Sequence, residues 1–264
     1  MKLGFIGLGN MASAMMKGII EGGTVPAEEV IVSNRSQEKC EKAKEKFGIQ
    51  IAKDNKEVAK NAKIVFLSVK PQMYELVIDE IKDVVTEDQL IITIAPGKTL
   101  AWLEEKFGKK MKIVRSMPNT PAMVGEGMTA VCYNEYVTEE DLEEAMKLFE
   151  SFGEAEVISE HLMDAVVSVS GSSPAYVFML IEAMADGGVS AGMPRTQAYK
   201  FASQAVLGSA KMVLETGKHP GELKDMVCSP AGTTIEAVRM LEKKGLRSAI
   251  IEAMKVCEEK SRNM

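Results

Sequence analysis

Ile64 to Val69 (IVFLSV) and Leu90 to Ile94 (LIITI) are near-continuous apolar runs of strand length. A strand without polar alternation is covered on both faces, as in a parallel sheet packed between helices. The rest of the first half supplies the partners. Leu3 to Ile6 is a short apolar run broken by Gly7-Leu8-Gly9-Asn10. A helix follows with Ala12, Met15, Met16 and Ile19 at i, i+3, i+4 and i+7, and Gly22-Gly23 ends it. Val30 to Val32 reads as a strand, and Ser36 to Phe47 as a charged helix stopped by Gly48. Asp54 and Glu57 have capping-box spacing for a short helix. Pro71 stands where a helix starts, with helical periodicity to Val85. Lys112 to Arg115, Met128 to Tyr133 and Glu154 to Ile158 complete the strands. This alternation predicts an α/β fold, with a Rossmann-like doubly wound sheet over residues 1–160.

From His161 onward the strand pattern stops. Helices are expected at Ala175 to Ser190, Pro194 to Leu214, Pro220 to Val227, Thr233 to Lys244 and Arg247 to Lys260, so residues 161–264 form an all-α C-terminal domain. Ala175 to Met184 reads AYVFMLIEAM, with a single charge. A helix so apolar is buried on more than one side. A helical core would cover it; a second copy of the chain would too, and the second is favoured as a dimer.

Several function classes drop out. Thirty-two basic against thirty-eight acidic residues leave a net charge of −6, which argues against general attraction to nucleic acid or an anionic membrane. The longest uncharged run, Ala165 to Ile181, holds four serines, a glycine and Pro174, against a membrane span. Glycines break the opening segment too early for a secretory signal. Four cysteines without a CxxC pair read as reduced thiols of a cytoplasmic protein. His161 and His219 are the only histidines, too few for a polyhistidine zinc site and a poor basis for a Ser-His-Asp triad. Chemistry therefore falls to a cofactor, hydroxyls, carboxylates and amines.

Gly7-x-Gly9-x-x-Ala12 follows a strand and opens a helix. Such glycines permit a tight turn and close approach of a pyrophosphate, which rests on the helix N-terminus. An ordinary strand–helix turn would look similar, but the position in a βαβ unit favours dinucleotide binding by Ile6, Gly7, Leu8, Gly9, Asn10 and Met11. An NAD protein usually places an acid at the end of the second strand. Here Ser33-Asn34-Arg35-Ser36 has none, and Arg35 suits a 2′-phosphate, with Asn34 beside it. NADPH is expected, with NADH as the weaker alternative. Ser68-Val69-Lys70-Pro71 and Ala95-Pro96-Gly97 lie at the carboxyl ends of the next two strands, where they border the ribose and nicotinamide or simply make turns.

The motifs together are specific. FIGLGNMASAMMKG opens the chain, VKP stands at Lys70, MPNTP runs from Met117 to Pro121, SGSSPAY from Ser170 to Tyr176, and HPGELKDMVCSPAGTTIEAVRMLE from His219 to Glu242. On these the chain resembles the pyrroline-5-carboxylate reductases along essentially its whole length. Two residues depart from the family pattern: Ala231 stands where a second glycine is common, and Pro96 where alanine is. The resemblance implies reduction of the cyclic imine L-1-pyrroline-5-carboxylate to L-proline with NADPH. It also implies a helical domain interlocked with a partner subunit, an active site formed between them, and rings built from such dimers. Asn55 matches a family asparagine that contacts the cofactor, though polarity at a helix start beside Asp54 would look the same, and Asn119 with Thr120 either shapes the loop under the nicotinamide or merely makes a turn.

Thr233-x-x-Glu236 has capping-box spacing, so a helix is expected to begin near Thr234. Gly232, Thr233 and Thr234 would then offer backbone N–H groups to a substrate carboxylate, with Ser229 counted among them. Plain capping has the same spacing. Thr234 is the candidate catalytic residue, hydrogen-bonding the ring nitrogen. No metal is expected. A β-hydroxyacid dehydrogenase is the nearest rival, but it needs a lysine early in the helical domain, and none occurs between Gly171 and Lys200. A non-catalytic NADP-binding regulator is the rival of a different class.

Overall fold

The computed structural model describes residues 2–263. Its first strands and helices alternate: β1 (Leu3–Ile6), α1 (Asn10–Glu21), β2 (Val30–Ser33), α2 (Gln37–Phe47), β3 (Gln50–Ile51), α3 (Asn55–Asn61), β4 (Ile64–Leu67) and α4 (Tyr74–Ile81). There follow β5 (Leu90–Thr93), α5 (Leu100–Phe107), β6 (Lys112–Met117), β7 (Gly127–Tyr133), α6 (Glu139–Glu150) and β8 (Gly153–Val157). They form one eight-stranded sheet in the order β3-β2-β1-β4-β5-β6-β7-β8. All pairs are parallel except β6 and β7. The reversal follows from the connection. Only the short 3-10 turn Thr120–Val124 separates those strands, too little chain for a crossover helix.

Every residue of β1, β2, β4 and β5 is buried, which is why their sequences do not alternate. A ladder of aromatic rings runs through one layer. Phe5 stacks on Phe66 at 4.8 Å, and Phe66, Phe149 and Phe152 continue edge-to-face. On the other side of the sheet Tyr74 is fully buried. Its hydroxyl donates to the Leu67 carbonyl and accepts from the Ile94 N–H at 3.2 Å, joining the ends of β4 and β5. Burial pushes the Tyr74 phenol well above its ordinary pKa. Arg115, also buried, pairs with Glu160 at 2.8 Å, and the same carboxylate accepts from the Leu100 N–H at 2.7 Å.

After β8 the chain is helical: α7 (Met163–Val166), a π-helical turn Val167–Gly171, α8 (Ser173–Ser190), α9 (Arg195–Thr216), α10 (Pro220–Val227), α11 (Thr233–Lys243) and α12 (Leu246–Arg262). Contacts divide the chain into two units, Met1–Ser172 with Cys257–Met264, and Ser173–Val256. The helical character thus begins near residue 160, while the compact helical unit begins at Ser173. Within the first unit Ser261 donates to Asp164 at 2.7 Å, fixing the returning end of α12.

Of the two covers considered for the apolar helices, the single chain does not supply the first, a core of its own. In the single chain α8 buries only Ala185 and α9 only Ala198 and Ala202. Phe178, Met179, Phe201 and Leu214 are 63 to 83% exposed. An intrachain core therefore does not account for the apolar composition of these helices. By length and composition alone the stretch Glu160–Ser190 could cross a membrane, with a mean hydropathy of 1.3, so its serines do not settle that question.

Candidate active site

At the carboxyl ends of β1, β2 and β4 the first unit opens a cleft of about 970 Å³. Its floor is the turn Gly7-Leu8-Gly9. Gly7 has φ +100° and donates its N–H to the Ser33 carbonyl at 2.8 Å. A β-carbon there would stand 2.8 Å from the Ser68 carbonyl oxygen. Gly9 is the N-cap of α1, no side chain caps it, and the first turn holds no acid. The first N–H groups of α1, from Asn10 and Met11 onward, therefore face a positive helix end without an internal partner. A β-carbon on Gly9 would meet nothing within 4 Å, so a ligand can approach the backbone there.

The walls are charged. Arg35, Lys39, Lys53, Lys56 and Lys70 line the cleft against two carboxylates, Asp54 and Glu80. Asp54 accepts from the Glu57 N–H at 2.7 Å as the cap of α3, while the Glu57 carboxylate reaches the Lys53 N–H at 2.8 Å. Open space over a helix N-terminus and an excess of cations fit a phosphorylated dinucleotide.

Most of the expected cofactor residues meet here, in two different ways. Gly7, Leu8, Gly9, Asn34, Arg35, Asn55, Ser68, Val69 and Lys70 all line the cleft. Several of them brace it through their side chains. Asn34 Oδ1 accepts from the Leu8 N–H at 3.1 Å and its Nδ2 donates to the Ser36 carbonyl at 3.2 Å. Ser68 Oγ donates to the Gly7 carbonyl at 2.7 Å. Asn55 Oδ1 accepts from Ser33 Oγ at 2.7 Å, and its Nδ2 donates to Glu80 Oε2 at 2.5 Å. Arg35 is exposed and free to meet a ligand.

The remaining positions lie elsewhere. Ile6 is buried in the core, and Pro71 opens a 3-10 turn ahead of α4. Ala95 borders a second, small cavity with Pro96, Arg115 and Met163, and Gly97 turns the adjoining loop with φ +74°. The Asn119 amide is committed to the backbone: it accepts from the Met128 N–H at 2.9 Å and donates to the Ser170 carbonyl at 3.1 Å. Sequence reasoning missed Lys39, Lys53, Lys56 and Glu80. Flanking of Asn55 was the available signal for two of them, and the Met73, Leu76, Val77, Glu80 spacing for the last.

The second cluster lies in the helical unit. Gly232 is the N-cap of α11 and donates its own N–H to the Ser229 carbonyl at 3.0 Å. This corrects the expected capping box. Thr233 is the first helical residue, no side chain caps α11, and Glu236 instead pairs with Arg239 at 2.9 Å. The Gly232 N–H is likewise consumed by the turn, so the unpartnered N–H groups are those of Thr233, Thr234 and Ile235. A β-carbon on Gly232 would collide with the Ser229 side chain, which explains glycine at the cap.

The chain is 55% identical over its full length to a pyrroline-5-carboxylate reductase of Escherichia coli, covering 98% of that protein. It belongs to the pyrroline-5-carboxylate reductase family. Two domain models match within that span. Residues 160–264 match pyrroline-5-carboxylate reductase dimerisation, and residues 2–97 match NADP oxidoreductase coenzyme F420-dependent. Among solved structures, a pyrroline-5-carboxylate reductase from Coxiella burnetii is 36% identical with a TM-score of 0.92, covering 99% of this chain and 97% of that one. A Plasmodium falciparum pyrroline carboxylate reductase with NADP bound is 33% identical with a TM-score of 0.91, covering 99% and 97%.

Membership makes Ala231 informative. It has φ +56° and is the only non-glycine residue with positive φ among the described residues. With Pro230 before it and Gly232 closing onto Ser229, it occupies the turn position that favours glycine. Ala231→Gly is expected to raise stability by about 0.5–1 kcal/mol, the relief of left-handed strain less the extra entropy of glycine. A urea midpoint that falls instead would show that the alanine is unstrained.

Proposed function

We propose that the chain reduces L-1-pyrroline-5-carboxylate to L-proline with NADPH, the last step of proline biosynthesis. Full-length similarity to reductases of that name carries the reading. When bound, the reduced nicotinamide supplies the hydride. The chain's own residues bind and orient. The free N–H groups at the start of α1 hold the pyrophosphate, and Arg35, with the lysines around it, holds the 2′-phosphate. The N–H groups of Thr233, Thr234 and Ile235 hold the substrate carboxylate, and the Thr234 hydroxyl meets the ring nitrogen. A cyclic imine is basic enough to be protonated near neutral pH, so few acid–base side chains are needed.

The direct test is the fall of NADPH absorbance on adding pyrroline-5-carboxylate to purified protein. Binding of NADPH without turnover would instead identify a non-catalytic regulator. Arg35→Asp is expected to weaken NADPH binding by roughly 1–3 kcal/mol, because a charge-assisted contact becomes a repulsion. An unchanged preference for NADPH over NADH in that variant would place the phosphate elsewhere.

Self-association follows from the dimerisation domain, and we propose a homodimer, extended in rings, built on residues from about His161 onward. A second copy supplies cover for Phe178, Met179, Phe201 and Leu214 without a membrane. Sedimentation at micromolar concentration is expected to show no monomer, and a folded monomer there would refute the arrangement. All four cysteines are unpaired, which suits a reducing cytoplasm.

A further inference from the structure

Of the two carboxylates in this cationic cleft, Asp54 caps α3, while the binding of phosphates gives Glu80 no task. It lies on α4 in one stripe with Leu76, Val77 and the N-cap residue Met73, all of which line the same cleft. Met73 and Leu76 are 38% and 54% exposed, an apolar strip open to the cleft. Such a strip suits the face of a flat ring. Glu80 ends the strip. Its Oε2 accepts from Asn55 Nδ2 at 2.5 Å, and Asn55 is itself held through Oδ1 by Ser33. Glu80 Oε1 makes no bond among the described residues, and the second Asn55 Nδ2 hydrogen is also uncommitted. Turning the amide over would set its oxygen against the Glu80 carboxylate, so the bond to Glu80 fixes its orientation. Asn55 and Glu80 together therefore present a fixed donor beside a fixed acceptor.

We infer that Glu80 reads the base of the dinucleotide: Oε1 accepts from the exocyclic amino group of adenine while Asn55 donates to the neighbouring ring nitrogen. This rests on the NADPH reading above. The two edges match in sense, because adenine offers a donor at its 6-amino group and an acceptor at N1. A 6-oxo purine offers the reverse, and its oxygen would face the carboxylate. Glu80 thus sets specificity for the base without touching the reacting atoms, and its negative charge belongs in the cleft.

The test is binding, read by fluorescence titration of the dihydronicotinamide. NADPH is compared with reduced nicotinamide hypoxanthine dinucleotide phosphate, which carries a 6-oxo group and an N1–H in place of the 6-amino group and bare N1. The parent is expected to bind NADPH about tenfold more tightly, the discrimination of a matched two-bond edge. In Glu80→Gln the side-chain amide can accept from an amino group or donate to an oxo group, so the ratio is expected to fall to about twofold. Glu80 is exposed on α4, and circular dichroism checks that the variant is folded. Equal binding of the two compounds by the parent, or an unchanged ratio in Glu80→Gln, overturns the base contact and leaves NADPH binding intact. Failure of the parent to bind either compound overturns the cofactor reading and the base contact with it.

Discussion

Thr234→Ala is expected to lower turnover by on the order of 10²-fold, the loss typical of one transition-state donor, while NADPH affinity stays at the parental value. The reason lies in what the ring nitrogen becomes. A protonated imine nitrogen has no lone pair to offer; as its carbon is reduced, the nitrogen gains one and becomes a hydrogen-bond acceptor. A hydroxyl poised there donates more strongly in the transition state than in the bound substrate, and such a contact raises turnover rather than affinity. Thr234 is the second residue of α11 and only partly buried, in the first turn whose N–H groups lack partners. Thr234→Ser keeps the hydroxyl and should recover most of the activity. Thr233→Ala is the control. Its side chain caps nothing, so both stability and turnover should stay near the parent, within about 0.5 kcal/mol. Parental turnover in Thr234→Ala would reduce that hydroxyl to packing.

Gly7→Ala carries the largest expected effect on the fold. At φ +100° an alanine is strained, and its β-carbon would stand 2.8 Å from the Ser68 carbonyl oxygen and 2.9 Å from Val69 Cγ1. Strain and overpacking together are worth about 2–5 kcal/mol. Ser68 directly follows β4 and is tied by its N–H to the Ile6 carbonyl, so its own carbonyl cannot move cheaply. Urea unfolding should show the loss, and NADPH titration a weakened site. Gly9→Ala separates the two effects. Gly9 has φ −88° and an empty surround, so stability should change by about 1 kcal/mol or less. NADPH affinity should nevertheless fall, because the new methyl occupies the approach to the start of α1. A Gly9→Ala protein that binds NADPH normally would show that the pyrophosphate does not lie over that turn.

The sheet was legible where burial on both faces left no polar residues, as in Ile64–Leu67 and Leu90–Thr93. It was opaque where elements are short or irregular. Strand β3 is two residues long, and its pairing depends on β2 rather than on its own sequence. Helices α5 and α6 were not singled out, although Thr99 and Thr138 cap them through their side chains. The tight turn between β1 and α1 was legible from glycine spacing, but the lysines facing it come from three separate segments. Only folding brings those together. The expected capping box at Thr233 failed because spacing does not reveal which residue takes the extended conformation. The close approach of Gly232 to Ser229 gives that role to the glycine.

The two rims of the sheet have a bearing on what the molecule does at high concentration. One rim is β3, barely long enough to template another strand; the other is β8, which carries Glu154 and Glu156 exposed along a five-residue strand. Unpaired strand edges otherwise recruit neighbours into open-ended fibrils, and brevity and like charge both discourage that. With both rims poorly suited to further strands, the exposed apolar helices are the faces left for the self-association that the dimerisation domain indicates, and association through a helix face is finite where growth along a strand edge is not.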